Sequence, residues 1–488
     1  MKKIIILILF IFTEAIYANS VDTSGLYCIT GGALIETVKH LASEKLQGRL
    51  SGSPGFYQSA EYMKNEFKKL NLKPLFENDY YQYFNTEYND IKCPCRFSLL
   101  KNNTKKEYKI GKDYIFRGFT GSGNIKAPVV FCGYGFSADD YDDYAGVDVK
   151  GKIVLIFKQL PAWRINDKDW NNSLRYREKI AFDHGAIATL LVSKPNDKSP
   201  QKPIGSVLEG EGEMLLDYPH LQIDISVADE FLFGSGFTLK DLQTAIDSIR
   251  KPKSFEINSA AEVEINAVYE KDRKTMNTAG IIEGSDPVLK NEYLIIGAHL
   301  DHVGAQGEEI YFPGANDNAS GSSAVLQIAR AFVKSGFKPS RSIVFVLFSN
   351  EESGLHGSTF FCNNFIAPLE KVTAMFNLDC IGYGDSIQVG NGKSAPDLWG
   401  IAKNINDKCI GLMVERTWNG GGADAQEFHN KKIPCLYFVT TNSYDHLHLT
   451  TDKTETLNLW LFERITKLAF LTAKEVAGGN YKREIVKQ

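Results

Sequence analysis

Neither sign of charge dominates this sequence. Lys and Arg number 55 against 59 Asp and Glu, a formal net charge of −4 over 488 residues. That balance excludes a protein held to nucleic acid by bulk electrostatics. Cysteine is scarce, with eight in the chain, and no CxxC pair occurs, which argues against a disulfide scaffold and a thiolate zinc site. Cys93 and Cys95 flank Pro94, so a bond between them would be strained. The other cysteines are isolated, and the reading is buried free thiols with at most one bridge. Past the N-terminus, no apolar run approaches the roughly 18 residues of a membrane span. The composition is 43% hydrophobic and 23% charged, which excludes a disordered or collagen-like chain.

At the N-terminus, Lys2 and Lys3 precede the apolar run from Ile4 to Phe12, and Ala18 offers a small residue for cleavage. A basic start, a short apolar core and a small-residue exit predict a signal peptide over 1–18. The expectation is an exported protein, periplasmic or extracellular, with no membrane span after cleavage.

The length suggests two to four domains at about 150 residues each. Apolar residues at spacings of three and four predict helices within about 33–75, interrupted by a turn-rich stretch from Arg49 to Gly55. Residues 79–115 read as short strands with charged turns. Residues 116–265 read as a separate strand-rich unit, with strands around 129–133, 151–157 and 188–192. From about 266, strands and helices alternate, with strands at 293–298, 342–348, 372–378 and 433–438. This predicts an α/β fold with a mostly parallel central sheet sandwiched by helices. Residues 25–115 and 266–475 would form one discontinuous domain around the insert, leaving 476–488 as a tail. In such sheets ligands bind beyond the carboxyl ends of the strands.

Six of the nine histidines fall after residue 298: His299, His302, His356, His429, His446 and His448. Five motifs put His, Asp or Glu just after buried strands or loops: His299-Leu300-Asp301-His302, Pro313 to Gly321 around Asp317, Asn350-Glu351-Glu352, Asn377-Leu378-Asp379, and His446 to Asp452. Each alone reads as an ordinary surface His, a solvated acidic pair or a helix cap. Parallel neighbouring strands would bring them to one rim. Several carboxylates cannot share a pocket uncompensated, because like charges raise one another's pKa. A bound cation resolves this, and imidazole mixed with carboxylate suits zinc, with manganese or cobalt also accommodated. The residue types fit a two-metal hydrolase: a shared carboxylate, one His and one carboxylate per ion, and an unligated base.

The ordered motifs HxDHxG, PGAxDNASG, NEESGLxGS, NLDxIG and HxTTD resemble the co-catalytic zinc aminopeptidases. These include secreted bacterial leucyl-type enzymes, with glutamate carboxypeptidase II and transferrin receptor as relatives. The 116–265 unit resembles the protease-associated (PA) domain that many members carry, through Phe131 to Gly135, Asp142 to Asp148 and Val149 to Lys152.

The resemblance implies two zinc ions. Asp317 would bridge them, with His299 and Asp379 on one and Glu352 and His448 on the other. Glu351 would be the general base for a metal-bridging hydroxide that attacks the peptide bond. Asp301 would orient His299 through its far ring nitrogen, and Gly314 and Gly321 would allow the turn around Asp317. His302, His446, Tyr444 and Asp424 are candidates for supporting or substrate-contact roles; Ala423 stands where relatives have Ser. Cys380 reads as a buried thiol beside a ligand. The implied substrates are peptides with a free N-terminus. The alternatives are a carboxypeptidase or dipeptidase, a glutaminyl cyclase, or a receptor-like binding module without activity.

Overall fold

Four parallel strands form the centre of the C-terminal part of the sheet in a computed structural model that describes residues 21–165, 170–210 and 212–487. The predicted signal peptide, residues 1–18, lies outside the described residues. The central order is Cys435–Thr440, Val372–Leu378, Tyr293–His299, Ser342–Phe348. Antiparallel strands flank both sides: Ile387–Gly390 beside Cys435–Thr440, and the end of Phe255–Ile282 beside Ser342–Phe348. The chain runs from Tyr293–His299 through helix Gly321–Ser335 to one side, then returns through helix His356–Asn363 to the other. The strand order therefore reverses at Tyr293–His299, the point where open α/β sheets form their ligand crevice.

Alternation along the strands assigns their two faces. Leu294, Ile296, Phe345, Phe376 and Phe438 join one core with helices Gly31–Leu41, Pro54–Lys69, Gly321–Ser335 and Leu459–Ala477. Ile295, Val344, Val346 and Met375 face a second layer containing Phe361 and Phe428, from His356–Asn363 and Ala425–Asn430. Both faces are covered, as near-continuous apolar strands require.

The segment predicted as short strands is one 21-residue strand, Tyr81–Lys101, paired with the 28-residue strand Phe255–Ile282. Charged residues such as Lys92 and Arg96 project outward from this ribbon. The ribbon accommodates its length by register shifts at Ile265/Asn266 and Glu270/Arg273. Through it the sheet continues into Gly123–Phe131, Ile153–Phe157, Ala188–Val192, His220–Ile223 and Tyr114–Phe116. These strands have their own core, which also draws on Ile91, Phe97 and Tyr114 ahead of residue 116. All eight cysteines are free thiols. Among the described residues, no helix is long and apolar enough to cross a membrane.

Candidate metal centre

His299 ends the strand at which the order reverses, and Asp379 directly follows its neighbour Val372–Leu378. Asp317 comes from the loop between His299 and helix Gly321–Ser335. Gly314 adopts φ 57°, and a Cβ there would lie 2.5 Å from His302 Cδ2, so this turn requires glycine. The loop is pinned across the fold: the amides of Asn316 and Asp317 donate to the Asp452 carboxylate at 2.8 and 3.0 Å, and Asn318 Nδ2 donates to the Leu378 carbonyl at 3.0 Å. The Glu351-Glu352 loop follows Ser342–Phe348. The Asn350 amide donates to Ser51 Oγ at 2.8 Å, and the Glu351 and Glu352 amides donate to the two oxygens of Asp301 at 3.3 and 3.4 Å.

These elements bring His299, Asp317, Glu351, Glu352, Asp379 and His448 together. His299 Nε2 lies 3.2 Å from Asp317 Oδ1 and 3.5 Å from Asp379 Oδ1. His448 Nε2 lies 3.2 Å from Asp317 Oδ2 and 2.9 Å from Glu352 Oε2. Asp317 thus meets one imidazole at each oxygen, as a bridging carboxylate does. Glu351 Oε2 stands 4.0 Å from His299 Nε2, with its side chain 17% exposed. Asp424 is fully buried, and burial pushes its carboxyl up to about 7.

The carboxylates and imidazoles of the cluster shift one another strongly. Burial opposes charge on His299, yet Glu351, Asp317 and Asp379 drive its pKa well above the ordinary imidazole value; Glu352 and Asp317 do the same to His448. Burial also raises Glu352, but His448 and His302 hold it at about 2. Burial raises Glu351 well above the carboxylate range, helped by Glu352, Asp424 and Asp379. Asp379 Oδ1 is buried without a hydrogen-bond partner. The donor atoms of His302, Asp317, Glu352 and His448 lie within 4.8 Å of one another, as do those of His299, Glu351 and Asp379. Mixed imidazole and carboxylate donors at this spacing fit a zinc-type cation.

The remaining candidates divide. His302 is buried with Nδ1 2.7 Å from Glu352 Oε1, so it supports a candidate ligand directly. Expected to orient His299 by its carboxylate, Asp301 instead presents its main-chain carbonyl to Nδ1 at 3.1 Å, with the carboxylate at 3.8 Å. That carboxylate is engaged by the Glu351 and Glu352 amides. Tyr444 is 55% exposed. His446 is bonded at the surface to Thr451 Oγ1 at 2.9 Å, with Tyr383 against its ring. Cys380 is buried beside Asp317 and Asp379, and burial raises its pKa, which keeps it a thiol.

Three supporting residues carry no role in the sequence reading. Asp452 holds the Asp317 loop, and the Tyr437 hydroxyl donates to Asp379 Oδ2 at 3.1 Å. Arg49 is wholly buried and donates to four carbonyls: Leu300 at 3.0 Å, Leu41 at 2.6 Å, Pro313 at 2.8 Å and Gly314 at 3.0 Å. The HxTTD motif contains Asp452, but nothing in it signals a bond to an amide 135 residues away.

The Peptidase family M28 profile matches residues 277–473. A protein from Trichophyton verrucosum named probable leucine aminopeptidase is 32% identical over 266 residues, covering 54% of this chain and 68% of that protein. A probable glutamate carboxypeptidase of Zea mays is 33% identical over 164 residues, 32% of this chain and 22% of its own. Several other curated relatives are likewise covered over a third to about half of their length. An aminopeptidase from Aneurinibacillus sp. strain AM-1 shares the fold, with TM-score 0.67, 19% identity and coverage of 95% and 98% of the two chains. A zinc aminopeptidase from Bacillus subtilis does so with TM-score 0.62, 19% identity and coverage of 94% and 98%.

Proposed function

The chain belongs to peptidase family M28, and we propose that within it this protein is an exported zinc-dependent aminopeptidase acting on peptides with a free N-terminus. One observation carries the reading. Asp317 has an imidazole at each oxygen, Glu352 and Asp379 complete the two ends, and Glu351 stands beside His299, partly open to solvent. His299 and Asp379 would hold one ion, Glu352 and His448 the other, with Asp317 shared. When bound, zinc supplies Lewis acidity, making a water acidic enough to attack at neutral pH and polarising the scissile carbonyl. Glu351 would serve as the general base that accepts a proton from the attacking water and returns it to the leaving amine.

Buried Arg49 is not available to bind a substrate carboxylate. It is the cation beside Asp452, Asp317, Asp301 and Glu352, and its donors are committed to carbonyls. Beside Asp379, Cys380, Tyr437, Val439, Trp418 and Leu447 form an apolar cluster, which supports preference for an apolar first side chain. Export rests on the pattern of residues 1–18, and the 116–265 unit is read as the PA-like insert.

An aminoacyl-anilide panel tests the reading. Leucine anilide should be cleaved, and its N-acetyl form should not. Equal rates for the two, or release of C-terminal residues only, would contradict an aminopeptidase.

A further inference from the structure

The far nitrogen of His448 is turned away from the carboxylates and toward the strand-rich unit. His448 Nδ1 lies 3.3 Å from the carbonyl of Gly205, 243 residues earlier, and the Gly205 amide donates to the His448 carbonyl at 2.8 Å. The two residues are thus tied twice. Arg117, buried in the same unit, donates to the Ile204 carbonyl at 3.4 Å and to Glu209 at 3.0 Å. Its neighbour Gly118 donates its amide to Ser206 Oγ at 3.0 Å. The Arg117 amide donates to the carbonyl of His220, in strand His220–Ile223, at 2.9 Å. Val207 of this unit and Ile115, from strand Tyr114–Phe116, also pack with Val303 and Phe312, from the loop that leads to Asp317. There is no slack: a Cβ on Gly205 would lie 2.6 Å from Val303 Cγ2 and 3.0 Å from Phe312 Cε1.

We infer that the strand-rich unit positions the metal centre, with the Gly205 carbonyl orienting His448. Donation from Nδ1–H to that carbonyl leaves the lone pair on Nε2, the nitrogen facing Asp317 and Glu352. Gly205 is a positioning residue; it touches no reacting atom. The inference rests on His448 being a metal ligand. The insert is then part of the hydrolytic machinery, because without it one ligand loses its orienting bond.

The full-length chain tests this by competition for zinc with a chromophoric chelator. Gly205→Ala should weaken one of two bound ions roughly tenfold or more, the usual effect of losing a partner to a ligand's far nitrogen. The other ion should bind unchanged. Adding Val303→Ala, which removes the closest clash, should restore most of the loss. Wild-type affinity for both ions in Gly205→Ala would overturn the inference. His448→Ala serves as reference: if it too binds both ions normally, the ligand assignment itself fails. Wild-type protein gives an answer even where the variant does not fold. Zinc added to the chelated chain should slow amide exchange at Gly205. Exchange unchanged there, but slowed at Asp317, contradicts the coupling.

Discussion

Glu351 and Glu352 are adjacent in sequence and different in surroundings. Glu352 lies between His302 and His448, which hold its pKa at about 2, while burial and neighbouring carboxylates push Glu351 the other way. Two like residues given opposite protonation tendencies are suited to separate tasks, ligand and base. Glu351→Gln should therefore lower kcat by about 10²–10⁴-fold while zinc content, read by metal analysis, stays at the wild-type level. Full activity in that variant would remove Glu351 from the chemistry. The six residues at the cluster were legible because their ordered motifs resemble those of the co-catalytic zinc aminopeptidases, and His299, Glu351, Glu352 and Asp379 also lie at or just after strand ends. The sequence did not make Asp452, Tyr437 or Arg49 legible, because each acts through contacts set by tertiary placement. His302 was visible as an extra imidazole, but its hold on Glu352 was not.

At the scale of elements, the strands Ser342–Phe348 and Val372–Leu378 were legible to the residue, since both are largely apolar runs that stop at a polar residue, Ser349 and Asp379. The Tyr81–Lys101 ribbon was not. Its charged residues face water along a strand of unusual length, and alternation broken by bulges resembles turns. Arg49 shows how elements are fastened around the site. It joins the end of helix Gly31–Leu41, the residue after His299 and the Pro313-Gly314 turn. Burial lowers its pKa to about 10, so it stays charged at neutral pH beside Asp452 and Asp317. Arg49→Met leaves those carbonyls without a donor and the nearby carboxylates without a cation. It should cost about 3 kcal/mol, read as a lower denaturant midpoint. An unchanged midpoint would show that the four bonds contribute nothing net.

At the scale of the molecule, two cores share one sheet through the long ribbon, and the second core reaches back to the site at Gly205. The α/β class was legible from the alternation of elements. The continuity of the sheet was not, because one strand, Phe255–Ile282, serves both halves. The even charge balance also takes on a structural meaning. Part of the acidic total is buried at Asp317, Glu352 and Asp379, where it adds nothing to the solvated surface. The most direct measurement of the central claim is a zinc titration of chelated full-length protein, followed by leucine anilide hydrolysis. The account predicts no activity without metal and full recovery as zinc reaches two ions per chain. Activity that survives complete chelation, or that zinc fails to restore in folded protein, would contradict it.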